Sequence, residues 1–169
     1  MRGAVAVAGA LTGCSVEVGG VVGLTVGPNG DLVAVVAVCD GYLDGLSVYQ
    51  GSGNEERKLG SWQRQEPIVE EAELSLAGPS SEWTTKQPLG RLPQVTELSV
   101  YGWTAKNRWS AVGPTFAAED LAGLRSGEVW FEQYKQASDR NVNAFVPRSD
   151  FRRESCEPPQ CRSCRHQAL

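Results

Sequence analysis

Histidine is almost missing from this chain, and its single copy, His166, falls three residues short of Leu169. A hydrolase that relies on imidazole needs the ring held within hydrogen-bond reach of a nucleophile by a third group. A tail position provides no such support, so triad catalysis is not expected. Membrane-spanning runs are missing too. Ala4 to Gly13 carries no charge, but it is too short to cross a bilayer. Positive charge is in short supply, with 16 Lys and Arg against 20 Asp and Glu and a net charge of −4. That balance argues against a nucleic-acid binder that depends on neutralising phosphates. There is no internal repeat.

The apolar run at the N-terminus ends in Leu11-Thr12-Gly13-Cys14. Its length suits the h-region of a secretory signal, and small residues sit where a signal peptidase needs narrow side chains. A leucine, two small residues and a cysteine resemble the lipobox of bacterial lipoprotein signal peptides. The chain is similar in this respect to the many short actinobacterial-type lipoproteins of unassigned activity. The resemblance implies cleavage before Cys14, a diacylglycerol thioether on that residue, and a protein held by lipid on the extracytoplasmic face of the cell membrane. It implies no molecular activity.

Five cysteines are present: Cys14, Cys39, Cys156, Cys161 and Cys164. With Cys14 lipidated, the other four can pair completely, as an oxidising compartment favours. Cys39 closes the most apolar segment, and Cys156 is the first cysteine after Phe151, so a Cys39–Cys156 disulfide is the preferred pairing. The spacing Cys156-x4-Cys161-x2-Cys164-x-His166 also offers four zinc ligands. Zinc sites generally use two close pairs separated by a structured spacer, which this compressed tail lacks, so no metal and no cofactor are expected. Cys161-Arg162-Ser163-Cys164 has redox-pair spacing without the helix N-terminus that would activate its first thiol.

Punctuation along the chain predicts short strands. Val21 to Val26 and Leu32 to Cys39 flank Gly27-Pro28-Asn29-Gly30-Asp31 and read as a hairpin, its second strand apolar on both faces. Leu46 to Gln50, Ala72 to Leu76, Val95 to Trp103, Arg108 to Val112, Glu128 to Tyr134 and Val142 to Val146 follow as strands. Gly51 to Gln65 reads as a long exposed loop, Gly78 to Pro93 as a proline-broken segment, and Phe116 to Leu124 as one or two helical turns. Residues 1–13 are read as signal, 14–20 as tether, 21–150 as a β-sandwich domain and 151–169 as a Cys- and Arg-rich tail. The expected class is all-β, an immunoglobulin-like sandwich, with a small β-barrel as the alternative. Leu124-Arg125-Ser126-Gly127-Glu128-Val129-Trp130 resembles the corner before strand F of fibronectin type III domains, where Leu-x-Pro-Gly-x-x-Tyr pins the chain by a hydroxyl hydrogen bond. Here that bond would have to come from the Trp130 indole.

Tyr101, Trp103 and Trp109 flank a turn at Lys106-Asn107 and are the candidate binding residues. Exposed on one hairpin face they would form a platform for sugar rings, peptides or wall polymer. Turned inward they would only stabilise the hairpin. The adjacent acids Glu70-Glu71 and Glu119-Asp120 do not form a catalytic pair by sequence alone, since strand neighbours point to opposite faces. The expected function is therefore a non-enzymatic module that binds a cell-envelope polymer or protein. A structural role in an envelope complex and an envelope hydrolase using surface carboxylates are the alternatives.

Overall fold

The computed structural model describes residues 16–157 apart from 52–54, 79, 94–96 and 136–139. Among the described residues there are ten strands: β1 (Glu17–Val26), β2 (Leu32–Val38), β3 (Leu43–Gln50), β4 (Arg57–Ile68) and β5 (Glu71–Ser75), then β6 (Trp83–Gln87), β7 (Leu98–Trp103), β8 (Trp109–Phe116), β9 (Glu128–Lys135) and β10 (Arg140–Pro147). A short helix, α1 (Phe151–Cys156), follows. The chain is all-β as expected, but its strands do not divide into two facing sheets. They form one sheet that bends until it nearly closes, the barrel alternative rather than the sandwich.

Strand order runs β5-β2-β1-β8-β7-β3-β4-β6, and β9-β10 branches from the far end of β1. The β1–β8 pairing is parallel, whereas the other ladders are antiparallel. At the seam, the Trp83 indole on β6 donates to the Glu73 carbonyl on β5 over 2.9 Å. One side-chain donor thus takes the place of a missing rung in the ladder.

Alternation on β1 and β2 builds two cores. Val22, Leu24, Ala34, Val36 and Val38 face the barrel interior with Leu46, Trp62 and Leu74. Val33, Val35 and Ala37 face outward and are covered by Val129, Phe131 and Phe151. The second core explains why Leu32 to Val38 is apolar on both faces. Phe151 is fully buried, edge-on to Phe131 at 5.3 Å, and burial of such a side chain stabilises by about 1.5–3 kcal/mol. Gly23 lies beneath it, where a Cβ would strike Val129.

Both proposed domain limits move outward. Residues 17–20, read as tether, belong to β1 and pair with β8. Gly19 and Gly20 are there because a Cβ would meet the Trp109 ring at one and the Ala37 carbonyl at the other. Likewise, residues 151–156, read as the start of the tail, form α1 on the outer core. Two side-chain links among the described residues hold that helix. Cys39 and Cys156 are disulfide-bonded across 117 residues, the pairing expected from sequence. Arg148, just before α1, donates to Glu73 at 2.6 Å and to Glu71 at 3.1 Å. Burial lowers the Arg148 pKa, but the hydrogen bonds to Glu73 and Glu71 and the charges of both carboxylates together outweigh it, and the pKa is raised.

Two segments read as irregular are strands. β4 occupies most of the supposed loop at 51–65, and β6 lies inside the proline-rich stretch 78–93. In both, one tryptophan supplies the buried large side chain while most neighbours stay polar. The corner at Ser126-Gly127 also departs from the fibronectin pattern. The Trp130 indole nitrogen makes no hydrogen bond, and the hydroxyl of Thr25 instead donates to the carbonyls of Arg125 and Glu128.

Candidate functional site

The site begins with an irregularity in the sheet. One edge of β1 serves two partners: residues 17–21 pair with β8, and Leu24 pairs with Trp130 of β9. Two strands cannot occupy one edge at the same level, so β8 and β9 diverge. Glu132 on β9 spans the resulting fork. Its Oε1 accepts the Thr115 backbone N–H of β8 at 3.0 Å, and its Oε2 accepts the Asn141 amide of β10 at 3.1 Å. A strand amide left without a neighbouring carbonyl is thereby satisfied, as backbone polar groups require.

A groove of about 340 Å³ opens at this fork. Its floor is the outer face of β1 and β8, with Val18, Val21 and Val112. Phe131, Gln133 and Asn141 stand on one side, and Glu154, Ser155 and Glu157 on the α1 side. Val18 is 62 % exposed and Val112 38 % exposed, an apolar surface left uncovered beside the outer core. The rim is acidic, since Glu132, Glu154 and Glu157 line the groove and no lysine or arginine does so among the described residues. Glu154 shares its charge with Arg153 at 3.0 Å.

The aromatic candidates separate. Tyr101 and Trp103 share the outer face of β7, whereas Trp109 packs against the interior core and over Gly19 and Gly41. The cause is register: Trp103 lies opposite Ser110, so the next residue, Trp109, takes the other face. The single-face platform of all three residues is not formed. Trp103 covers Gly45, its partner on β3, where a Cβ would strike the indole. Tyr101 meets Tyr49 edge-on at 6.0 Å, and the Lys58 ammonium lies 5.4 Å from the Tyr49 ring centre. The turn between Trp103 and Trp109 is built on Thr104, whose hydroxyl accepts the N–H groups of Arg108 and Trp109. Asn107 provides its left-handed residue at φ 50°.

Of the remaining candidates, Cys14, Cys161, Cys164 and His166 lie outside the described residues. The acidic pairs serve local structure: Glu71 binds Arg148, and Asp120 accepts the Ala117 N–H at 2.7 Å. Sequence reasoning missed Glu132 and the fork. One signal was present, because β9 is apolar on both faces at Val129-Trp130-Phe131 and turns polar at Glu132-Gln133. That change marks where the strand leaves the body of the sheet. No helix among the described residues is long and apolar enough to cross a membrane. Comparison with protein families, with curated proteins and with solved structures finds no match.

Proposed function

We propose that this protein is an exported, lipid-anchored binding module that holds its ligand in the groove at the β8–β9 fork and acts without catalysis. The observation that carries this reading is the groove itself, an exposed valine floor enclosed by a strand pair and a disulfide-linked helix. An apolar concavity with a few polar groups at its rim suits ligand capture. Its carboxylate at the fork, Glu132, has both oxygens engaged in holding the strands, which leaves it poorly placed to move a proton. The Cys39–Cys156 link suits an oxidising compartment.

The anchor adds orientation. Cys14 precedes the first described residue, Val16, by two positions, a reach of about 7 Å. The Glu17 amide donates to the Arg108 carbonyl and the Cys39 amide to the Gly19 carbonyl. In this reading the anchored end of the barrel carries the start of β1, the Thr104–Arg108 turn and the disulfide, and Val18 of the groove lies beside it. A second reading keeps the same function and uses the outer face of β3 and β7. It is favoured by the Tyr49–Tyr101 pair next to Trp103.

The test has two parts. Protein extracted from membranes should have lost residues 1–13 and gained a diacylglycerol mass on Cys14. Full-chain protein carrying Cys14→Ala, which cannot be lipidated, should also be retained on isolated cell envelope, and adding Val112→Arg should abolish retention without lowering the melting temperature. An unmodified full-length mass overturns the anchor, and unchanged retention overturns the groove.

A further inference from the structure

From the chemistry of the groove, and resting on the reading of it as a binding site, we infer that its ligand is an extended peptide segment in which apolar side chains alternate with lysine or arginine. Three observations converge. The floor is apolar, with Val18 and Val112 exposed and Val21 half-buried, on two adjacent parallel strands. A second carboxylate-bearing element, α1 with the residue that caps it, lies on one side and places Glu154 and Glu157 at the rim. No cation lines the cavity among the described residues, and Arg153 contacts only one of these two acids.

Geometry then selects an extended chain. Successive side chains of a strand point to opposite sides, so one set can rest on the valines while the other reaches the carboxylates. The rim amides of Gln133 and Asn141 supply partners for the main chain of such a segment, with Asn141 exposed and held at one end by Glu132. A free metal ion is a poorer fit, because Glu132 is committed and the floor side chains are valines. An acidic polymer would meet three carboxylates of its own sign.

Fluorescence anisotropy on the full-chain protein tests the assignment. The probes are a fluorescein-labelled hexapeptide alternating leucine with lysine and its leucine–glutamate counterpart. The lysine peptide should bind at least about fivefold more tightly, with an affinity that falls as salt is raised. Glu154→Gln with Glu157→Gln should erase that preference while leaving the melting temperature unchanged, and Val112→Arg should abolish binding. Val69→Arg, on an exposed side chain of the β4–β5 turn, should bind as wild type does. Equal affinity for the two peptides, or undiminished binding by Val112→Arg, overturns the inference. Loss of envelope retention in Val112→Arg without any preference between the peptides would retain the groove as a binding site and reject this ligand class.

Discussion

Cys39 and Cys156 stand 117 residues apart in the chain, yet their Cα atoms are 5.1 Å apart, joining the end of β2 to the end of α1. This link and the Arg148 contacts to Glu71 and Glu73 are the side-chain ties among the described residues that hold α1 on the outer core, beside the Arg148 amide, which donates to the Gly127 carbonyl at 2.8 Å. The helix has six residues, too few for independent stability. It owes its position to Phe151 and to these ties, and it forms one side of the groove.

Breaking the disulfide should therefore be costly. Cys156→Ser is expected to lower unfolding stability by roughly 2–4 kcal/mol, the usual range for closing a long loop. Urea titration of wild type and variant checks it, and reductant should bring the wild type to the level of the variant. If reductant leaves the wild-type midpoint unmoved, the bond does not constrain the chain.

Arg148→Met should cost about 1–2 kcal/mol, less than a fully buried ion pair because the groups are partly solvated. The sign with pH follows from the raised Arg148 pKa. Its contribution is complete below the ordinary arginine value and is lost only as pH rises through the folded value, beyond the working range. The difference between variant and wild type should thus stay level from about pH 6 to pH 9 in denaturation experiments.

The seam of the barrel gives a third expectation. Trp83→Phe removes the indole donor to Glu73 and keeps most of the buried ring, so it should cost about 1 kcal/mol. Amide exchange should accelerate in β5 and β6 while β1 and β7 remain protected.

Trp109→Ala and Trp103→Ala should differ in size. Trp109 packs on the interior core and over two glycines, and its truncation should lower stability by about 3 kcal/mol. Trp103 covers Gly45 from outside, and its loss should cost about 1–2 kcal/mol. Parallel thermal melts decide the order.

The sequence was most legible where one rule decided the outcome. The Asn29-Gly30 turn between two apolar runs marked the β1–β2 hairpin, and the unbroken run from Leu32 announced a strand buried on both faces. Clean alternation at Ala72, Leu74 and Leu76 marked β5. It was least legible where a strand borrows its stability from a distant partner. β4 and β6 look polar because their neighbours and a few side chains of their own, Trp62 and Ile68 in β4 and Trp83 in β6, provide the burial. Gly19 and Gly20 read as tether because nothing local shows that the Trp109 ring and the Ala37 carbonyl lie above them. The parallel β1–β8 pairing joins segments about ninety residues apart, and local periodicity carries no record of such a contact. The fork exists only because of that pairing, so the groove could not be found by reading along the chain.

The most direct measurement compares retention of the wild-type sequence, Val112→Arg and Trp103→Ala on isolated cell envelope, each as full-chain protein also carrying Cys14→Ala so that no lipid contributes, with melting temperatures recorded for all three. The account predicts that Val112→Arg loses retention while keeping its fold, and that Trp103→Ala stays bound. Retention of Val112→Arg at the wild-type level, with loss in Trp103→Ala, would contradict it and move the binding surface to the outer face of β3 and β7.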